Sequence, residues 1–162
     1  MENTERYLRE QLVRQIRGGN AFKKIESILE EVDFHQLRKQ FDGLPYTFWQ
    51  QLEHLRITQW DILEFCTNPN YKPLDWPKDY WVPQPGPFSL EEFESNKRMF
   101  FKDRETFLDL LLDLDNDLYK PFSHGDGQTL FREALLILEH NAYHTGQLMI
   151  LFRLMNNTEE SV

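Results

Sequence analysis

Six of the eight prolines fall between positions 68 and 88, and the rest of the chain is nearly free of them. A proline lacks the backbone donor and its ring collides with the preceding turn, so no helix runs through this stretch. On either side the apolar residues recur with helical periodicity, and no segment alternates as a half-buried strand would. The chain is therefore expected to fold as helices interrupted by one long irregular connection. At 162 residues it is sized for a single domain, residues 1–162, with enough chain to bury a core.

Four long helices are predicted, giving an all-α four-helix bundle. The first runs from about Thr4 to Arg17, with Tyr7, Leu8, Leu12 and Ile16 near helical spacing and Gly18-Gly19 as its stop. A shorter piece from Ala21 to Val32 repeats Phe22, Ile25, Ile28 and Leu29, and Phe34 to Gly43 reads as a connector. The second long helix starts at its cap Thr47 and ends at Asn68-Pro69. Along it Phe48, Leu52, Leu55, Gln59, Ile62 and Cys66 form the core stripe, flanked by a second stripe of His54, Thr58, Asp61 and Phe65. Ser89 with Glu92 three residues on signals the start of the third, which runs to about Leu114 through Leu90, Phe93, Phe100, Arg104, Phe107, Leu108 and Leu111. Thr129 caps the fourth, which reaches about Met155. At about 3.1 Å per residue the Pro-rich connection can span a helix of ~30 Å, which permits a parallel crossover between the second and third long helices. Its Trp76, Tyr80 and Trp81 need something to cover.

Charge and composition exclude several partners. The net charge is −9 and lysine and arginine are scattered, which argues against a nucleic-acid backbone as ligand. No apolar run approaches the roughly 20 residues of a membrane-spanning helix. The charged start, Met1 to Arg6, lacks the apolar stretch of a secretory signal, so a cytoplasmic protein without a membrane partner is expected. Cys66, alone in the chain, has no disulfide partner and sits in the helical pattern as a buried, inert thiol.

The chemistry-bearing residues are histidines. His140 and His144 are four apart, so they share one helical face a turn apart, and His54 lies on the inward flank of another predicted helix. Three imidazoles from two facing helices would cap a divalent ion and leave positions open for water or substrate. An ion of this kind acidifies a bound water or thiol. Asp61, on one face with His54, and Glu133, two turns before His140, are placed to orient the ligating rings. By spacing alone, polar histidines satisfied by hydrogen bonds in a bundle fit about as well as a metal site.

Other motifs carry less. Asn141 follows His140, so the zincin pattern H-E-x-x-H is absent. Gly125-Asp126-Gly127 is too short for a phosphate-cradling loop, and no serine-nucleophile motif occurs. His124 beside that loop is a candidate for proton transfer at the site mouth, or a residue that stabilises the turn.

Taken together, these segments resemble the DinB-like proteins. The stretch from Gln51 to Phe65 resembles the second helix of that family. So does the ending His124-Gly125-Asp126-Gly127-Gln128-Thr129-Leu130 followed by Glu139-His140-Asn141-Ala142-Tyr143-His144-Thr145-Gly146-Gln147-Leu148. Asp75-Trp76-Pro77 with Tyr80-Trp81 resembles one subgroup. The resemblance implies an up-down-down-up bundle and a divalent ion, zinc or nickel, held by His54, His140 and His144. It further implies thiol S-transferase-like chemistry on a small electrophile with a low-molecular-weight thiol such as bacillithiol, mycothiol or glutathione, and often a homodimer. Metal-assisted hydrolysis, or a non-catalytic metal-binding role in a stress response, are the alternatives.

Overall fold

The computed structural model describes residues 2–83 and 88–157, and every regular element among them is helical apart from one isolated bridge between Pro121 and Thr129. The helices are α1 (Glu2–Arg17), α2 (Ile25–Glu31), α3 (Phe48–Thr67), α4 (Leu90–Leu112) and α5 (Leu130–Asn157), with short 3-10 turns at Phe34–Gln36 and Lys78–Tyr80.

Local chemistry sets the starts. The Thr47 hydroxyl accepts the Gln50 N–H at 3.3 Å while the Gln50 side chain accepts the Thr47 N–H at 3.1 Å, a reciprocal box that begins α3. Ser89 accepts from the Glu92 N–H at 3.1 Å to begin α4, and Thr129 from the Arg132 N–H at 3.2 Å to begin α5. Two ends differ from expectation. Helix α4 stops at Leu112 rather than Leu114, because Asp113 turns to extended backbone. Helix α2 begins only at Ile25, after an extended Lys24, so Phe22 is left exposed, as are Tyr7 and Leu90.

Helices α1 and α3 each pack on both α4 and α5, which places α1 and α3 on opposite corners of the bundle, and α2 lies against α5. The core is divided. One apolar cluster gathers Ile28, Leu37, Phe48, Leu52, Leu55, Phe100, Leu148 and Met155. The other gathers Leu12, Ile16, Ile62, Phe107, Leu108, Leu111, Ala134 and Ile137. Between them in sequence, on three helices, stand buried polar side chains: Gln59 on α3, Arg104 on α4, His144 and Thr145 on α5. Gln59 ties this layer together, donating to the Phe100 carbonyl at 2.7 Å and accepting from Asn141 at 2.9 Å. Two packed clusters thus supply the stability that lets a polar layer be buried, since each fully buried leucine or phenylalanine contributes about 1.5–3 kcal/mol.

Residues 68–83 lie outside the regular helices apart from the 3-10 turn, and they fasten onto α3; Pro85 and Pro87 lie outside the described residues. A second tie joins α1 to the end of α4. The Arg9 side chain is buried, and its guanidinium donates to the carbonyls of Leu111 at 2.7 Å, Asp113 at 3.1 Å and Asn116 at 2.6 Å, with Glu5 as its ion partner at 2.6 Å. These carbonyls lie at and just beyond the C-terminal end of α4, where helical carbonyls lose their own partners and a cation is favoured. Replacing Arg9 by Met should cost about 2–4 kcal/mol in urea unfolding, with helix content unchanged, because three carbonyls lose their donor. Lys at this position should recover only part of the loss, since one ammonium cannot reproduce the planar fork.

Candidate metal centre

The seam between α3 and α5 brings the three predicted histidines together. The ring centroids of His54 lie 4.9 Å from His140 and 4.6 Å from His144, and those of His140 and His144 are 4.4 Å apart. One ring nitrogen from each lies within 4.8 Å of the other two. The single turn separating His140 from His144 sets their bite, and the packing of α3 on α5 supplies the third ring.

Hydrogen bonds fix two of the rings. His54 donates its Nδ1–H to the Tyr80 carbonyl at 3.0 Å, and His144 donates its Nδ1–H to Gln51 Oε1 at 2.8 Å. In a neutral imidazole this leaves the Nε2 lone pair available. His54 Nε2 and His140 Nε2 stand 3.1 Å apart, a distance at which two lone pairs repel unless a proton or a cation lies between them. It is also the separation of neighbouring nitrogens around one ion with bonds of about 2.0–2.1 Å. His140 Nδ1 is buried and finds no hydrogen-bond partner. The all-nitrogen donor set, its spacing and its held tautomers therefore fit a divalent first-row cation.

Electrostatics keep the rings uncharged. Burial, then the neighbouring His144 and His54, pull His140 down to about 3, with the Asn141 side chain acting weakly the other way. Burial and His54 pull His144 down to about 4, partly offset by Gln147. Burial lowers His54 as well, against the bond to the Tyr80 carbonyl. A neutral imidazole is the form that ligates a metal.

An aromatic strap from the Pro-rich stretch covers the triad. The Trp81 ring stacks on His54 at 4.0 Å with planes 4° apart, and Tyr46 stacks on Trp81 at 3.8 Å. Trp76 presents an edge to His54 at 6.4 Å and is 71% exposed. Gln50 donates to the Val82 carbonyl at 3.1 Å, so the strap is held on α3 at Gln50, His54 and Asp61, residues of one helical face. Gln51, Tyr80 and Trp81 were not singled out as contacts of the histidines by sequence reasoning. Gln51, one turn before His54, carried a usable spacing signal, whereas the Tyr80 contact uses a backbone carbonyl that no side-chain pattern reveals.

The remaining predicted residues stand apart from the imidazoles. Asp61 accepts the hydroxyls of Tyr71 at 2.9 Å and Tyr80 at 2.6 Å rather than a ring N–H. Both phenols are pushed well up by burial and by that carboxylate. Glu133 pairs with Arg132 at 2.7 Å, its carboxyl raised by burial against the pull of that guanidinium. His124 donates Nε2–H to the Phe65 carbonyl at 2.8 Å and packs on the rings of Phe65 and Phe122. Phe65 lies eleven residues beyond His54, roughly 16 Å along α3, so the structure does not bring His124 to the triad; it anchors the loop before α5. With Asp61 and Glu133 it lines a separate cavity of about 370 Å³. Cys66 is buried, its thiol held well above the ordinary range by burial and by Glu133, which makes it inert.

A helical bundle in which three imidazoles converge closely enough to hold one ion fits a metal-binding protein. The sequence model of the DinB superfamily matches residues 20–148, and the chain belongs to that superfamily. No curated protein and no solved structure matches it. Among the described residues no helix is long and apolar enough to cross a membrane.

The lowered imidazoles make stability depend on pH. The folded chain keeps His140 and His144 neutral where the unfolded chain, with imidazoles near 6.5, takes up protons. Their contribution is fully present above about pH 6.5 and is lost as the pH falls toward 4 and then 3. The metal-free protein should unfold at lower urea concentration at about pH 5 than at about pH 7.5, and His140→Gln should flatten that dependence. An equal slope in the variant would count against this account.

Proposed function

We propose that this protein is a divalent-metal-dependent enzyme whose ion is held by His54, His140 and His144, and that it transfers a low-molecular-weight thiol to a small electrophile. The observation that carries the reading is the convergence of three neutral imidazoles, two of them fixed through Nδ1. When bound, such an ion acts as a Lewis acid and lowers the pKa of a thiol or water ligated to it. The protein's own part is positional. Tyr80 and Gln51 hold His54 and His144 with Nε2 toward the centre. Trp81 shields one face of His54 from water, and the exposed indole of Trp76 offers apolar surface beside it. Zinc and nickel suit the imidazole set, and the family resemblance favours bacillithiol, mycothiol or glutathione as the thiol. The same resemblance favours a cytoplasmic homodimer.

An up-down-down-up order, with the Pro-rich stretch as crossover between α3 and α4, belongs to this reading. It is supported by Gln59 of α3 meeting Phe100 of α4, by Gln51 meeting His144 of α5, and by Arg9 and Arg17 of α1 meeting Leu111 and Glu105 of α4. A second reading, a non-catalytic metal-binding protein, is favoured by the cover over the site, since His54 is only 2% and His144 6% exposed.

Elemental analysis of untagged protein should find one divalent ion per chain, lost in His144→Ala. Thiol-dependent consumption of a halo-nitroaromatic or haloalkane should follow metal loading and vanish in that variant. A metal-dependent rise in melting temperature without turnover would favour the second reading, and turnover without thiol would indicate hydrolysis. A chain that takes up no divalent ion would overturn both readings of the site.

A further inference from the structure

We infer that Asp61 is a positioning residue for the metal ligand His54 and acts on it through Tyr80. The inference rests on the metal-centre reading above and deepens it, because Asp61 touches no imidazole.

The path is continuous. Asp61 Oδ2 accepts the Tyr80 hydroxyl at 2.6 Å, and the Tyr80 carbonyl accepts His54 Nδ1–H at 3.0 Å. Asp61 lies seven residues from His54 on the same face of α3, so one rigid helix carries both the ring and the carboxylate that anchors its partner. Asp61 is itself held, since its Oδ1 accepts the Tyr71 hydroxyl at 2.9 Å and its side chain is buried. Among the described residues of this connection Tyr80 ends the one 3-10 turn, Lys78–Tyr80, and the others form no regular structure, so the segment has little intrinsic rigidity. The phenol–carboxylate bond is charge-assisted and therefore among the stronger ones available to fix it. Fixing the phenol fixes the carbonyl of the same residue, and the carbonyl selects the Nδ1–H tautomer that leaves His54 Nε2 free toward His140. The Trp81 stack restrains the plane of His54 but makes no choice between its nitrogens, so it cannot replace the carbonyl.

The inference predicts a pattern across four variants. Asp61→Asn and Tyr80→Phe should each raise the Kd for Ni²⁺ or Zn²⁺ by about tenfold or more, the usual cost of losing an orienting partner. The double variant should be no worse than either single one, because both break the same path. Tyr71→Phe, which leaves the Asp61–Tyr80 bond in place, should change the affinity by much less. In metal-free protein, ¹⁵N NMR should find His54 as the Nδ1–H tautomer, and a mixture of tautomers in Asp61→Asn and Tyr80→Phe. Additive losses, a Tyr71→Phe effect equal to that of Tyr80→Phe, or an unchanged tautomer in both variants would overturn the inference. The tautomer is read without metal, so a chain that binds no ion would sink the proposed function while leaving this result legible. Tyr80→Phe keeps the ring and the backbone, so it tests the path even if Asp61→Asn fails to fold.

Discussion

The whole site depends on imidazoles being buried uncharged between helices that would otherwise pack as hydrocarbon. Taking a titratable ring out of water penalises its charged form, and a second ring beside it penalises that form again. Here burial lowers all three rings, His54 also lowers His144, and both of these lower His140, which is pulled down to about 3 against about 4 for His144. The same burial that makes the cluster a poor base makes it a good ligand set. The cost of placing it there is met by the apolar clusters above and below, and by hydrogen bonds that satisfy most, though not all, of the polar layer.

The Pro-rich stretch has a physical role that follows from what it cannot do. Apart from one 3-10 turn its described residues form no helix, and they lay carbonyls and aromatic rings along one face of α3. The Tyr80 and Val82 carbonyls meet donors from His54 and Gln50, and the Tyr80 phenol finds Asp61. A regular helix in this place would spend those carbonyls internally. An irregular segment can spend them on a ligand, which is why such a segment stands over the histidines.

Much of the fold was legible because its signals are local. Caps at Thr47, Ser89 and Thr129 and the stripes along the long helices need only near neighbours in sequence; the caps appear where spacing places them, and so do the stripes except at Tyr7 and Leu90, which are exposed. The shortfalls at Phe22 and Leu114 arise where periodicity continues past the point at which the backbone turns extended. The candidate site was legible in part for the same reason. His140 and His144 share a face by arithmetic, and His54 sits on an inward flank. The roles expected of Asp61 and Glu133 rested on proximity along a helix face, and that of His124 on the reach of its loop, and neither says what stands between two groups. Tyr80 stands between Asp61 and His54, and Arg132 takes the Glu133 carboxylate.

Sequence by itself determined the helices, the irregular stretch and the identity of three imidazoles, because periodicity, caps and proline chemistry act over a few residues. Only the tertiary structure decided that the rings converge, which nitrogen each presents and what covers them. Those outcomes depend on the rotation of α3 against α5 and on backbone carbonyls from a distant segment, and neither is written in the spacing of side chains.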